Sequence, residues 1–284
     1  MSEQALHDKS VDTTAEVLLA LELKRKIKRW YGIFLVLVLY LLLTSCQGDN
    51  VSVDEVIAYP HIAKVTVDAV IESDKQPWYK QLVKVLDEPK VKALVLVLDS
   101  PGGVVHVAEA SHSLLKRIRA NGVPIVAVVK SQATSAAYLM ASAADAIVAH
   151  ETSIVGSIGV KSSIMIFKEM LDKLGVNVIT NGVGQNLTGI PFTGISPFTK
   201  KYLDLTGKDS YTWFTNAVKV NRKLTDDRLD KVVGGKIFTG TEGLSLGLVD
   251  HIGDLQLAYS LLQDLYYGRL PAVVDYGKGY NEFK

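Results

Sequence analysis

The sequence predicts an α/β fold, a mainly parallel sheet with flanking helices, preceded by one N-terminal transmembrane helix. Three observations carry this. Apolar residues alternate between period-two and helical spacing along residues 59–267, Ala93-Leu-Val-Leu-Val-Leu98 is an unbroken apolar run of strand length, and a cluster of cations stands before a long uncharged stretch near the N-terminus. A strand buried on both faces reads as a continuous apolar run, and alternating strands and helices imply parallel pairing with helices on both sides.

Taken in order, Thr13 to Lys28 reads as an amphipathic helix with Val17, Leu18 and Leu21 on one side. Lys24, Arg25, Lys26, Lys28 and Arg29 then precede Trp30 and an apolar run to Leu43. Residues 31–46 carry no charge, which gives about 24 Å of helix against a hydrocarbon core of about 30 Å, a gap that slight bilayer thinning or snorkelling cations close. With the cations before the run and none in Gln47 to Asn50, the positive-inside rule places the first 29 residues in the cytoplasm and exports the rest. Leu43-Thr-Ser-Cys46 also resembles a lipoprotein signal. The 29 residues before Trp30 exceed the usual basic region of a signal peptide and favour an uncleaved anchor. The expected organisation is therefore a cytoplasmic tail (1–29), an anchor (30–46), a polar linker (47–58), a catalytic domain (59–267) and a C-terminal tail (268–284).

Within the domain, Ile62 to Ile71 alternates as a strand, Trp78 to Leu86 has helical spacing, and Ala93 to Leu98 is the buried strand. A helix over Val105 to Ala120 leads to a strand at Pro124 to Val129, a helix near Ser135 to Ala143, and short strands at Ala146 to Ala149 and Val176 to Thr180. A long helix is expected from Pro197 to Arg222, with Tyr211, Phe214 and Val218 on one face, and a last helix from Leu255 to about Tyr267. Tyr276 to Lys284 is poor in apolar residues and is expected to be loose.

Composition removes several function classes. Lys plus Arg number 31 against 30 for Asp plus Glu, a net charge of +1, so no overall field draws nucleic acid and no nucleic-acid partner is expected. One cysteine, Cys46, and six histidines offer neither a disulfide scaffold nor a familiar Cys-based zinc site, so no metal or other cofactor is expected.

In open parallel sheets, ligands gather beyond the carboxyl ends of the strands. Three segments leave such ends. Asp99-Ser-Pro-Gly-Gly103 brings bare backbone N–H groups to a helix start, which suits an oxyanion, although a Gly pair also makes a plain tight turn. Ser131 to Met140 crowds small residues around Ser135, which is placed either as a helix N-cap or as a nucleophile in the helix field. Ser153-Ile-Val-Gly-Ser-Ile-Gly-Val160 has glycines at strand spacing, a mark of close backbone approach.

Together these segments resemble the signal peptide peptidase A family of membrane-anchored serine peptidases over about residues 60–255. The matches are Ser100-Pro-Gly-Gly103, Ser135-Ala-Ala-Tyr138 with Ala143-Ala-Asp145, Gly156-Ser-Ile-Gly-Val160, Phe238-Thr-Gly240 and Gly247-Leu-Val-Asp-His-Ile-Gly253. The resemblance implies a ClpP/crotonase-like fold, a homo-oligomeric ring, apolar peptide substrates such as cleaved signal peptides, and a Ser–Lys dyad. It puts Ser135 in the nucleophile position and Gly102 or Gly103, with the N–H of Ala136, in the oxyanion positions. Relatives carry the lysine in a Gly-x-x-Lys segment before a Pro-Phe pair. This chain reads Asn181-Gly-Val-Gly-Gln-Asn-Leu-Thr-Gly-Ile-Pro-Phe192, with Gln185 or Asn186 in the lysine's place. Neither amide accepts a serine proton. His106 and Lys161 are substitute bases, with Lys130, Lys200 and Lys201 behind them. Three functions follow: an active serine endopeptidase, a catalytically silent ring that binds peptides or partner proteins, and an acyl-thioester enzyme of the crotonase type. The last lacks any evident adenine or pantetheine site.

Overall fold

The computed structural model describes residues 59–179, 190–265, 271–277 and 280–281, together with Lys24, Lys26, Lys28 and Trp30, which are helical. The chain divides into two units, Met1–Val51 and Ser52–Lys284, and the fold described below belongs to the second. Residues 31–58 of the expected anchor and linker, and Gln185 and Asn186, lie outside the described residues. Among the described residues no helix is long and apolar enough to cross a membrane.

The mainly parallel α/β architecture is present. Its strands are β1 (His61–Val67), β2 (Val91–Ser100), β3 (Ile125–Thr134), β4 (Ala146–Ala149), β5 (Ile154–Gly156), β6 (Ile237–Thr239), β7 (His251–Ile252), β8 (Ala272–Asp275) and β9 (Tyr280–Asn281). They form one sheet in the order β6-β5-β3-β2-β1-β8-β9, with β4 beside β3 and β7 beside β4. Every pairing is parallel except β5 with β6 and β8 with β9. The helices are α1 (Pro77–Asp87), α2 (Val105–Ala120), α3 (Ala136–Ser142), α4 (Lys168–Lys173), α5 (Ile190–Thr193), α6 (Pro197–Asn221), α7 (Asp226–Val232), α8 (Gly240–Leu246) and α9 (Leu255–Leu265).

The continuous apolar run of β2 has the expected cause. Leu94, Leu96 and Leu98 join Val65, Trp78, Leu115 and Met140 in a core under α1, α2 and α3, while Ala93, Val95 and Val97 join Ile62, Val128 and Tyr259 in a second core under α9. Alternate residues of one strand thus serve opposite layers. β3 sets up the site by serving two partners in turn: Val126 to Val129 pair with β4, and Gln132 to Thr134 pair with β5. Its carboxyl end therefore runs past β4, still between β2 and β5, and delivers residue 135 beside the end of β2.

Two expectations are corrected. Val176 to Ile179 form no strand, and they lie on the outside, with Ile179 92% exposed. Among the described residues their alternating apolar pattern has no neighbouring edge to complete a ladder, so periodicity alone misleads there. The C-terminal segment is not wholly a tail either, because β8 adds to the edge of β1. Lys64 Nζ lies 3.1 Å from Asp275 Oδ2, and His61 Nε2 lies 2.9 Å from the Tyr276 hydroxyl. The apolar triplet Ala272-Val-Val274 is short, and its burial depends on a strand more than 200 positions earlier.

Candidate active site

β3 and α3 meet at Ser135, whose backbone stands at φ 53° and ψ −120°. A non-glycine residue held there stores strain of about 1–3 kcal/mol, which persists only where neighbours over-determine the turn. They do: the Ser135 N–H donates to Gly156 O at 2.9 Å, and the Ser135 carbonyl accepts from Leu139 N at 3.0 Å. The side chain makes no capping hydrogen bond, so the N-cap role is empty. Among the described residues the hydroxyl has no hydrogen-bond partner, and the residue is half-buried.

The paired glycines lie against this turn. A Cβ on Gly102, whose φ is 98°, would stand 2.6 Å from Thr134 O, 2.8 Å from Ser135 Cβ and 2.9 Å from Ala136 N, so only glycine lets the two turns touch. Ile71 pins the pair from the other side, donating its N–H to Gly102 O at 2.9 Å and accepting from Val104 N at 2.7 Å. The two glycines differ in what their N–H groups do. Gly102 N donates to Ser100 Oγ at 3.2 Å, whereas the N–H groups of Gly103 and Ala136 have no acceptor among the described residues. The two residues with open donors thus line one cleft together with Ser135.

A narrow cleft begins at Ser135 and Gly103 and is walled by Val105, Ala108, Leu139, Val160, Trp213 and Phe214. Its walls are apolar. The third segment supplies the floor: Gly156 holds the Ser135 N–H, Gly159 lines the cleft, and Ser153 Oγ accepts from His150 N at 3.1 Å while donating to Lys130 O in the middle of β3.

The remaining motif residues hold α3 from behind. Tyr138 is fully buried and donates its hydroxyl to Leu248 O at 3.0 Å, and burial pushes its phenol far above the usual range. Asp250 accepts from Ile147 N at 2.8 Å and pairs with Arg222 at 2.7 Å, and Arg222 also donates to Gly247 O at 3.1 Å. Asp145 accepts from Ile125 N at 2.8 Å and pairs with Arg119. These carboxylates clamp strand starts and loops, and neither reaches Ser135.

The structure thus brings together Ser135, Gly102, Gly103 and Ala136. It does not bring a base to them among the described residues. His106, Lys161, Lys200 and Lys201 are exposed and make no hydrogen bond to Ser135, and Lys200 pairs with Asp204 at 2.8 Å. Lys130 lines a different cavity, with Lys64, Thr66 and Trp78. Sequence reasoning missed Trp213, which stands next to the Phe214 stripe on α6 and reaches the cleft. It also missed His112 and Asn221 behind Trp213. Their only sequence signal is a histidine at an otherwise apolar position of α2.

Comparison with known proteins gives a consistent picture. A profile described as Peptidase family S49 matches residues 117–266. A putative protease of Methanocaldococcus jannaschii is 33% identical over 254 residues, covering 84% of this chain and 80% of that protein. Protease 4 of Salmonella typhi is 33% identical over 199 residues, 66% of this chain but 32% of that longer protein. A putative signal peptide peptidase SppA of Enterococcus faecium is 28% identical over 206 residues, 68% of this chain and 60% of that protein.

Proposed function

The chain belongs to peptidase family S49, and on that premise we propose that it is a membrane-anchored serine endopeptidase that hydrolyses apolar peptides, cleaved signal peptides among them. The observation that carries the reading is Ser135 itself: a strained residue whose hydroxyl makes no capping bond, in an apolar cleft that it lines together with Gly103 and Ala136, whose N–H groups are open. In the proposed step Ser135 Oγ attacks the scissile carbonyl carbon and loses its proton to a base. The carbonyl oxygen becomes an oxyanion held by the N–H groups of Gly103 and Ala136. Collapse breaks the C–N bond, the amine leaves with a proton, and water then cleaves the acyl ester on Ser135. Gly102 serves as the spacer that lets the donor turn approach, since its own N–H is taken by Ser100.

The base comes from outside the Gly182 to Phe192 segment, which holds no titratable side chain: His106 or Lys161 after a rearrangement, or a lysine of a neighbouring copy. A histidine base gives activity rising through about pH 6–7, and a lysine base, lowered by burial from about 10.4, gives activity rising at higher pH. A second reading has its own observation. With Gln185 or Asn186 at the family lysine and no titratable side chain on Ser135 among the described residues, a silent ring that binds peptides would keep this cleft and lack turnover. Cleavage of an apolar peptide that disappears in Ser135→Ala supports the peptidase. Peptide binding without any turnover supports the silent ring.

Assembly and placement complete the proposal. Met165, Met170, Leu174, Phe192, Phe198 and Leu205 are all exposed around α4, α5 and the first half of α6. Exposed apolar side chains in such number on an exported domain fit burial against a second copy, the basis for a ring. The anchor at residues 30–46 keeps the domain at the outer face of a bacterial inner membrane, which protease added to intact spheroplasts tests: the domain is digested, and protection of its C-terminal end would overturn the placement.

A further inference from the structure

One wall of the Ser135 cleft is tied to a buried histidine that the mechanism does not use. Trp213 lines the cleft, and its far side closes a separate groove with Glu109, His112, Lys116 and Asn221. The His112 ring meets the Trp213 ring edge-on, with centroids 5.9 Å apart and planes at 85°. His112 is 6% exposed, and its Nε2 lies 2.7 Å from Asn221 Nδ2. An amide nitrogen only donates, so Nε2 accepts and the ring is neutral with its proton on Nδ1. The same amide donates to Ser142 Oγ at 3.0 Å, and Ser142 Oγ donates to Leu139 O at 2.7 Å. Leu139 is itself a wall of the cleft. A hydrogen-bonded chain from Leu139 through Ser142 and Asn221 to His112, completed by the ring contact with Trp213, thus joins two walls of the cleft through the end of α6.

We propose that His112 is a positioning residue for peptide substrates: its neutral ring seats Trp213 and anchors Asn221, and its protonation releases that wall of the cleft. This rests on the reading of Ser135 as a peptidase centre. The groups that face His112 are Glu109 and Lys116 on α2, Trp213, Asn216 and Asn221 on α6, and Ser142 on α3, so only its own helix brings charge to it. Burial foremost, and then the Lys116 ammonium, hold the imidazole below its ordinary value, against the hydrogen bond from Asn221. A protonated ring carries hydrogen on both nitrogens, so Nε2–H would confront the Asn221 N–H, and the pair must part or the amide turn over. Because the folded protein favours the neutral ring, the arrangement is complete above the ordinary imidazole value and is lost as pH falls below about 6.5.

The test uses the full chain in detergent micelles, labelled with 5-fluorotryptophan, both as wild type and as Ser135→Ala. The Trp213 fluorine resonance is assigned by its loss in Trp213→Phe. It is expected to titrate with a midpoint below about 6.5, and His112→Gln, which keeps an acceptor oxygen but has no titrating ring, is expected to abolish the titration. In parallel, KM for an apolar peptide should rise roughly threefold or more as pH falls through the midpoint of the Trp213 titration, and His112→Gln should flatten that rise while leaving the pH profile of kcat, which the base sets, as in the wild type. A Trp213 resonance that ignores pH, or that titrates equally in His112→Gln, overturns the proposal. So does a titration accompanied by an unchanged KM. If no peptide is cleaved at any pH, the peptidase reading fails, and peptide affinity measured on the Ser135→Ala chain replaces KM in deciding the role of His112.

Discussion

An alanine at position 103 would set its Cβ 1.9 Å from Ile71 O and 2.6 Å from Ile71 C, both backbone atoms that no rotamer change can clear. The Gly-Gly turn must therefore move off the Ile71 strap, and with it the 103 N–H that we assign to the oxyanion. Two costs follow. Displacing a packed backbone contact destabilises by about 1–3 kcal/mol, and misplacing one oxyanion donor lowers kcat by about 10²–10³-fold, or about 2.7–4 kcal/mol of transition-state stabilisation. The two are separable by measuring urea denaturation alongside kcat and KM on an apolar peptide at a temperature where the variant is fully folded. Gly122→Ala is the control, because Gly122 also has a positive φ, +80°, but nothing lies within 4 Å of its Cβ position. That variant should lose about 1 kcal/mol of stability and no activity. If Gly103→Ala folds and retains kcat within about twofold of the wild type, the 103 N–H is not an oxyanion donor.

Lysine placed at Gln185 and at Asn186, one at a time, distinguishes a lost base from a relocated one: one of the two should restore hydrolysis in a silent enzyme, and neither should raise it in an active one, as progress curves on one peptide show. A chain beginning near Asn50 should be oligomeric by light scattering at tens of micromolar, and a particle of monomer mass would contradict the second-copy role of the α4 to α6 surface. Asp250→Ala should lower stability by about 2–3 kcal/mol in denaturant titration, below the full range for a buried pair, because the Arg222 side chain is 7% exposed but that of Asp250 is 32%. Loss of that clamp should also slow Ser135 labelling, since Arg222 and Tyr138 both hold the Gly247 to Leu248 loop behind α3.

The layered architecture was legible because its signals are local. β2 fills two cores with one apolar run, and α2 spans the predicted Val105 to Ala120 because its apolar residues repeat at helical spacing and Asn121-Gly122 ends it. Ser135, Gly103 and Ala136 were legible as a group only through their order along the chain. Gly102 and Gly103 look alike in sequence, and what sets their N–H groups apart is a hydrogen bond from Gly102 N to Ser100 Oγ, a contact that no spacing rule encodes. Val176 to Ile179 and β8 failed in opposite directions for one reason. Strand formation needs a partner edge, and the sequence shows the pattern of a strand but not the presence of its neighbour. The contact of His112 with Trp213 was illegible for a similar cause, as the two residues lie about 100 positions apart and meet only after α2 and α6 pack.

The account stands most directly on Ser135, and a fluorophosphonate probe followed by peptide mass spectrometry tests it in one measurement. The hydroxyl, in one cleft with the two residues whose N–H donors are open, is predicted to carry the phosphonyl adduct in the wild type, with no adduct in Ser135→Ala and with peptide hydrolysis lost in step with labelling. Hydrolysis that continues while Ser135 remains unlabelled, or an adduct on another serine that accounts for the lost activity, would contradict it.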